Sequence, residues 1–404
     1  MKILLIASSL PYPAHAGGAL RTLGLLRGLA AAGHAVSLLC FHDGSVKVKD
    51  TPLAALCQRI ETLPAPSRSL TQRLATLAFS SQPDIALRLE STALRDRLEQ
   101  LLREQVFDLI QFQGLEMAIY LPQARQLQPE ARLIYDAFNA EYVLQRRIAE
   151  TETGLRALPA KLYSKVQARR IASFERDIVA AASAVIAVSP EDAAALESFR
   201  PDRKVFLLPN GIETNAYQSN GHQLDLGEQV LIFTGKMDYR PNVDAVLWFS
   251  EAIFPRIRDH YPHAKLFVVG QQPHRSLQKL ASQPHIEITG WVAEVLPYLR
   301  AAHVYVAPMR MGAGTRLKIL EAMAAGCAIV ATPVAAAGLV ADAQNALELA
   351  DAPAAFADAV IALLSDRDRR CALGTAAQIA VKRHYDWSAL IPCLLAIHEE
   401  IACG

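Results

Sequence analysis

The segment VYVAPMRMGAGTRLKILEAMAAGCAIVATP, Val304 to Pro333, limits what this chain can fold into more than any other stretch. Its order is apolar strand, glycine-rich loop, helix, glycine stop and apolar strand, the repeating unit of a parallel α/β sheet. Val304 to Ala307 has the uninterrupted apolar character of a strand covered on both faces. Gly312 and Gly314 let the backbone turn tightly and come close to a ligand. Thr315 is a candidate N-cap, Leu317, Leu320 and Met323 repeat at helical spacing, and Gly326 suits the helix end. Ala328 to Ala331 starts the next buried strand.

The polar residues of the segment point to chemistry. Arg316 and Lys318 fall in the first turn of the helix, where the macrodipole disfavours cations. A bound anion removes the conflict, because free N–H groups and the positive dipole end form a phosphate site. Glu321 lies one turn deeper on the face of Lys318, where a carboxylate can accept hydrogen bonds from a ribose diol. An ordinary solvated face of Arg, Lys and Glu is the alternative.

The segment resembles the nucleotide-sugar site of the family 4 glycosyltransferases, whose signature is Glu-x7-Glu followed by Ala-Met/Leu-Ala-x-Gly. Glu321 matches the second Glu, and Ala322 to Gly326 supply AMAAG. Ala313 stands where the first Glu falls. That Glu usually contacts the donor sugar, so the departure bears on sugar recognition more than on nucleotide binding. The resemblance implies an α/β fold of two facing Rossmann-like domains, the GT-B architecture, with a C-terminal helix crossing back to the first domain. It also implies a retaining transfer, by front-face attack, from a nucleotide-diphosphate sugar to a glycan, lipid-linked or small-molecule acceptor. No metal and no cofactor beyond the sugar nucleotide are expected.

At 404 residues the chain is long enough for two domains with separate cores. The expected division is a first, acceptor-binding domain at 1–210, joined by the crossing helix 388–404, and a donor-binding domain at 225–387. A net charge of +1 gives no global field for nucleic acid. The cysteines are scattered without a CxxC pair and read as reduced core residues of a cytoplasmic protein. The N-terminus, MKILLIASSLPYPAHAG, has the look of a short signal peptide. It also reads as a first buried strand feeding a Gly17-Gly18 loop, and the strand is the reading adopted, since cleavage after Ala16 would delete it. The uncharged run Ala322 to Ala341 is broken by Gly326 and Thr332-Pro333, so it does not span a bilayer.

Along the first half, strands are expected at Ile3 to Ala7, Ala35 to Cys40, Phe107 to Phe112, Arg132 to Tyr135, Ala184 to Val188 and Val205 to Leu208. A helix is expected from Ala19 to Ala32, and mostly helix from Ser69 to Glu104. Gly17 and Gly18 match the loop that the resembled family lays over the donor diphosphate. Gln113 and Glu116 follow one strand, and Asp136, Asn139 and Glu141 follow another, at carboxyl ends that line the crevice of doubly wound sheets. In the family these edges bind the acceptor, often with a His where Gln113 stands, and a Gln cannot act as a base. Asp136 or Asn139 as caps of a helix near Ala140 is the alternative. The stretch 155–177, with Lys161, Lys165, Arg169, Arg170 and Arg176 among apolar residues, reads either as a solvated helix or as a peripheral contact with the inner membrane surface.

The second half follows a PNGIE turn that matches the family linker, and begins with the strand Val230 to Thr234. Gly235-Lys236 falls on the family's Gly-Arg, the first of two cations on the pyrophosphate. The second, five residues on, falls on Pro241, so Arg316 or Lys318 is left to supply that charge. Asn242 ends the KMDYxPN form, which with GAGTRLKILEAMA marks a subgroup of the family. Strands Leu266 to Val269 and Ile286 to Ile288 lead to Trp291 and Val292, which match the nucleobase turn; a buried core Trp is the alternative. Further sheet edges are expected at Val330 to Ala336 and Leu347 to Leu349. The expected leaving-group site is thus Lys236, Arg316 and Lys318, with Gly235, Asn242, Trp291, Val292, Ala313, Gly314, Thr315 and Glu321 around the donor. A nucleotide-sugar epimerase of the same architecture and a catalytically silent binding scaffold are the rival functions.

Overall fold

The computed structural model describes residues 1–14, 16–69, 71–72, 75–76, 80–151, 158–218, 224–311 and 317–403. The chain divides into two compact units, Met1–Gly211 with Leu390–Gly404, and Ile212–Ala389.

The first unit is built on seven parallel strands: β1 (Lys2–Ala7), β2 (Ala35–His42), β3 (Arg59–Pro64), β4 (Leu109–Gln113), β5 (Arg132–Ala137), β6 (Ala184–Ala187) and β7 (Phe206–Leu207). Their order across the sheet is β3-β2-β1-β4-β5-β6-β7. Ile3, Leu4, Leu5 and Ile6 are wholly buried, as an uncharged run in a central strand with covered faces requires. The helices that matter below are α1 (Gly17–Ala31), α2 (Thr92–Glu104), α3 (Glu141–Thr151) and α4 (Leu158–Ala181). Ser91 caps α2 by accepting from Leu94 N, and Leu94, Leu98 and Leu101 bury one stripe of it. Strand order reverses direction between β1 and β4. Carboxyl ends on either side of such a switch splay apart and leave a crevice.

The second unit repeats the scheme with six parallel strands: β8 (Val230–Thr234), β9 (Lys265–Val269), β10 (Ile286–Gly290), β11 (Val304–Ala307), β12 (Ile329–Ala331) and β13 (Glu348–Leu349). The order is β10-β9-β8-β11-β12-β13, with the reversal between β8 and β11. Its helices include α5 (Arg240–Trp248), α6 (Leu317–Ala324) and α7 (Arg367–Tyr385). The last helix, α8 (Trp387–Cys403), begins here and joins the first unit from Leu390 onward. Every residue of β11 is buried, and Gly326 ends the α6 region in the left-handed conformation at φ +77°.

One expectation changes, another holds in the main, and one strand is new. The strand expected over Val330–Ala336 stops at Ala331, because the Thr332 hydroxyl accepts from Ala335 N at 3.1 Å and opens a one-turn helix, Pro333–Ala336. The largely helical stretch 69–104 contains Asp84–Leu87 and α2 among its described residues, separated by a turn. Strand β3 was not anticipated; its RIETLP sequence is half-exposed along its length and carries no buried apolar run.

Candidate functional site

Gly235 and Lys236 leave the carboxyl end of β8, beside the β8/β11 reversal. The turn brings two backbones together. Gly235 has φ +149° and Gly270, at the end of β9, has φ +153°. A Cβ on Gly270 would sit 1.7 Å from the Gly235 carbonyl oxygen, so no larger residue fits. Lys236 Nζ lies 3.3 Å from the Asp238 carboxylate, and both side chains are about half exposed.

Lys318 reaches the same turn from α6. Its Nζ donates to Asn242 Oδ1 at 2.5 Å and stands 4.4 Å from the centre of the Phe233 ring. Asn242 Nδ2 donates in turn to the Lys236 carbonyl at 2.8 Å. The Lys318 ammonium is thereby held against the backbone of the turn that carries Lys236, at the switch point. Arg310, which the sequence did not single out, clamps Asp244 of α5 through Nε at 3.0 Å and Nη2 at 2.5 Å. It ties the segment after β11 to the helix that carries Asn242.

Glu321 accepts from the Tyr217 hydroxyl at 3.0 Å. Burial pushes its carboxyl above the ordinary glutamate value, opposed by that hydrogen bond and by the charge of Lys318. Trp291 follows β10 and is 65% exposed, which excludes the core-packing alternative, while Val292 packs partly against the core of the unit. Ala313, Gly314, Thr315 and Arg316 lie outside the described residues.

In the first unit, Gly17 and Gly18 open α1, whose start has neither a side-chain cap nor an acidic residue in its first turn. A Cβ on Gly18 would stand 2.8 Å from Phe138, so this turn lies against the β5 end. Gln113 closes β4 and is 1% exposed, and neither of its amide atoms has a partner among the described residues. Glu116 accepts from Arg88 at 3.3 Å. Asn139 donates to Glu141 Oε1 at 3.0 Å. Desolvation carries the Glu141 carboxyl up to about 8, against the Asn139 bond and helped by the charges of Glu116, Glu175 and Asp192.

Asp136 must be reassigned. It was expected to bind an acceptor or to cap a helix, but its carboxylate is fully buried and paired with Arg21, whose Nη2 approaches Oδ1 at 2.6 Å and Nε approaches Oδ2 at 3.0 Å. The same guanidinium donates to the carbonyls of Leu208 and Pro209 at 3.0 and 3.1 Å. Gln111 donates to Asp136 Oδ2 at 3.2 Å and bonds His398 of α8 at 3.0 Å. Asp136 is therefore the centre of a structural network. The start of α3 is capped from elsewhere: Glu175 accepts from the N–H groups of Glu141 and Tyr142, and Asp192 from that of Ala140. An arginine on the apolar face of α1 was the one available sign of this network.

Comparison with known proteins places this geometry. A glycosyl transferase 4-like domain model matches residues 16–211, and a glycosyl transferases group 1 model matches residues 228–366. The phosphatidyl-myo-inositol mannosyltransferase of Mycobacterium tuberculosis is 30% identical over 210 residues, 48% of this chain and 54% of that protein. The chain thus spans about half the length of this curated relative. Sucrose-phosphate synthase from Thermosynechococcus elongatus superposes with a TM-score of 0.73 at 17% identity, covering 99% of both chains. Anabaena Alr3699/HepE, solved in complex with UDP-glucose, gives 0.66 at 16% identity, covering 99% of this chain and 100% of that one. These superpositions and the two parallel sheets define the class, a two-domain chain of GT-B architecture. Within that class, the paired domain models assign the chain to the family 4-like glycosyltransferases.

Proposed function

We propose that this chain transfers a sugar, with retention, from a nucleotide-diphosphate sugar to a glycan or lipid-linked acceptor. The observation that carries the reading is the Lys318 ammonium held against the backbone of the Lys236 turn at the β8/β11 switch point. As the glycosidic bond breaks, its electron pair passes to the diphosphate, and negative charge grows on the departing oxygens. Cations already in place act most strongly on that charge, because they need not reorganise as it develops. Lys236, Lys318 and Arg316 would hold the leaving group, with the N–H groups of Gly314 and Thr315. Glu321 would accept from the ribose, and Trp291 and Val292 would border the nucleobase. The acceptor oxygen attacks from the face the diphosphate leaves, and its proton goes to a diphosphate oxygen. That route needs neither a metal nor a pair of carboxylates.

Gln113, Glu116 and Asn139 are the proposed acceptor side, and Gly17 and Gly18 the loop over the diphosphate. The mycobacterial relatives are named for phosphatidyl-myo-inositol, which supports a glycolipid acceptor. Helix α4 supports work at an anionic membrane surface: Leu162 is 66% and Tyr163 37% exposed, with Lys165, Arg169 and Arg176 also exposed. No described helix is long and apolar enough to cross a membrane. Ala313, in place of the family's Glu, favours one second reading, a scaffold that binds a nucleotide sugar without turnover.

Incubation with radiolabelled UDP- and GDP-sugars separates the two. Transfer or donor hydrolysis is expected; binding without turnover supports the scaffold. A folded chain that binds none of UDP, GDP and ADP overturns both.

A further inference from the structure

We propose that Asn242 is a positioning residue, whose amide fixes the Lys318 ammonium against the backbone of the Lys236 turn. The inference rests on the reading that these lysines receive a diphosphate. Asn242 was expected to bind the donor directly, but its surroundings assign it a different task. It stands in the first turn of α5, 4% exposed. Its oxygen accepts from Lys318 Nζ at 2.5 Å, and its nitrogen donates to the Lys236 carbonyl at 2.8 Å. Little of the amide is left for a ligand.

The seat is closed on its other sides. Phe233 offers the ammonium a ring face at 4.4 Å, which attracts a cation. A Cβ on Gly235 would lie 2.6 Å from Asn242 Nδ2 and 2.8 Å from Lys318 Nζ, so the glycine leaves room for both groups and nothing more. A lysine has a long flexible stem, and freezing it during binding costs entropy. One held beforehand meets the diphosphate without that loss. Pro241 stands where the family resemblance led us to expect a second cation. The next residue, Asn242, instead seats a lysine delivered by another helix.

A double-mutant cycle on the full chain tests this. Lys318→Ala, Asn242→Ala and the double variant are titrated calorimetrically with UDP, GDP and ADP, and thermal unfolding of each is followed. Lys318→Ala is expected to weaken the preferred diphosphate about tenfold or more, and Asn242→Ala about three- to tenfold. The double variant is expected to bind no worse than Lys318→Ala, because the amide has no effect once the ammonium is gone. Asn242→Asp holds the ammonium but neutralises its charge, and should weaken binding at least as much as Asn242→Ala. If Asn242→Ala lowers the unfolding temperature, Asn242→Ser takes its place in the cycle, with the same expected loss of effect in the Lys318→Ala background. Losses that multiply in the double variant, or wild-type affinity in a folded Asn242→Ala, overturn the proposal. A folded Lys318→Ala with unchanged affinity instead removes the diphosphate site itself.

Discussion

Glu321 stands among groups that pull its carboxyl in opposite directions. Burial favours the proton, while the Tyr217 hydroxyl and the Lys318 charge favour ionisation, and burial wins. Only the ionised form is purely an acceptor for a ribose diol. Tyr217→Phe removes one of the two ionising influences, so the carboxyl should titrate still higher. Nucleoside-diphosphate affinity should fall about three- to tenfold, and the acid limb of its pH profile should move to higher pH. Calorimetry at a series of pH values checks both; an unmoved limb would reduce Tyr217 to packing. Glu321 was legible in the sequence because it lies one turn beyond Lys318 on the same helix face and matches the second Glu of the family signature. Tyr217 was not, since it lies 104 residues away and no local pattern joins them. The Lys318–Asn242 bond, across 76 residues, was hidden for the same reason.

Among the elements, α1 and β5 depend on a charge pair removed from water. Asp136→Ala leaves Arg21 buried without its counter-ion, a change that typically destabilises by ~3–5 kcal/mol. Denaturant unfolding of the first unit should register that loss, whereas Asn139→Ala, at a half-buried position, should change stability little. Equal effects would mean that Asp136 is no anchor. Strands with an unbroken buried apolar run, such as Ile3–Ala7 of β1, Val230–Phe233 of β8 and the whole of β11, could be read from sequence because burial on both faces leaves no other option. Strand β3 could not, since an edge position tolerates alternating charge. The Thr332-Pro333 pair carried the signal for a helix start that the apolar run around it concealed. The Arg21–Asp136 network escaped because the two residues are 115 positions apart.

For the whole molecule, buried acids set how stability follows pH. Desolvation takes the Glu141 carboxyl to about 8 and that of Glu175 to about 7, both above the ordinary glutamate value. The folded chain therefore holds more protons there than the unfolded one, and stability falls as pH rises through the window. Below about pH 6.5 the buried His398, drawn down to about 4, works in the opposite sense. Melting temperature should accordingly decline between about pH 4.5 and 8, less steeply below about pH 6.5 where His398 opposes it, by about 2–4 °C for each kcal/mol lost. Glu175→Gln should flatten the decline, and a flat wild-type profile would contradict it. Cosedimentation with phosphatidylglycerol vesicles tests α4: Lys165→Glu and Arg169→Glu should each weaken binding about fivefold, and so should added salt. Binding indifferent to both would clear α4 of a membrane role.

His398 reaches Gln111 from a stretch that leaves the ribosome only after all of Ile212–Ala389 has been translated. Until then the first sheet lacks its closing helix, and Gly28 of α1 lacks Ile391, whose side chain packs directly on it. A chain ending at Ala389 would keep every residue of the second unit and lack the helix that completes the first. The earliest strands made are thus covered by a helix that follows the whole second unit in the sequence.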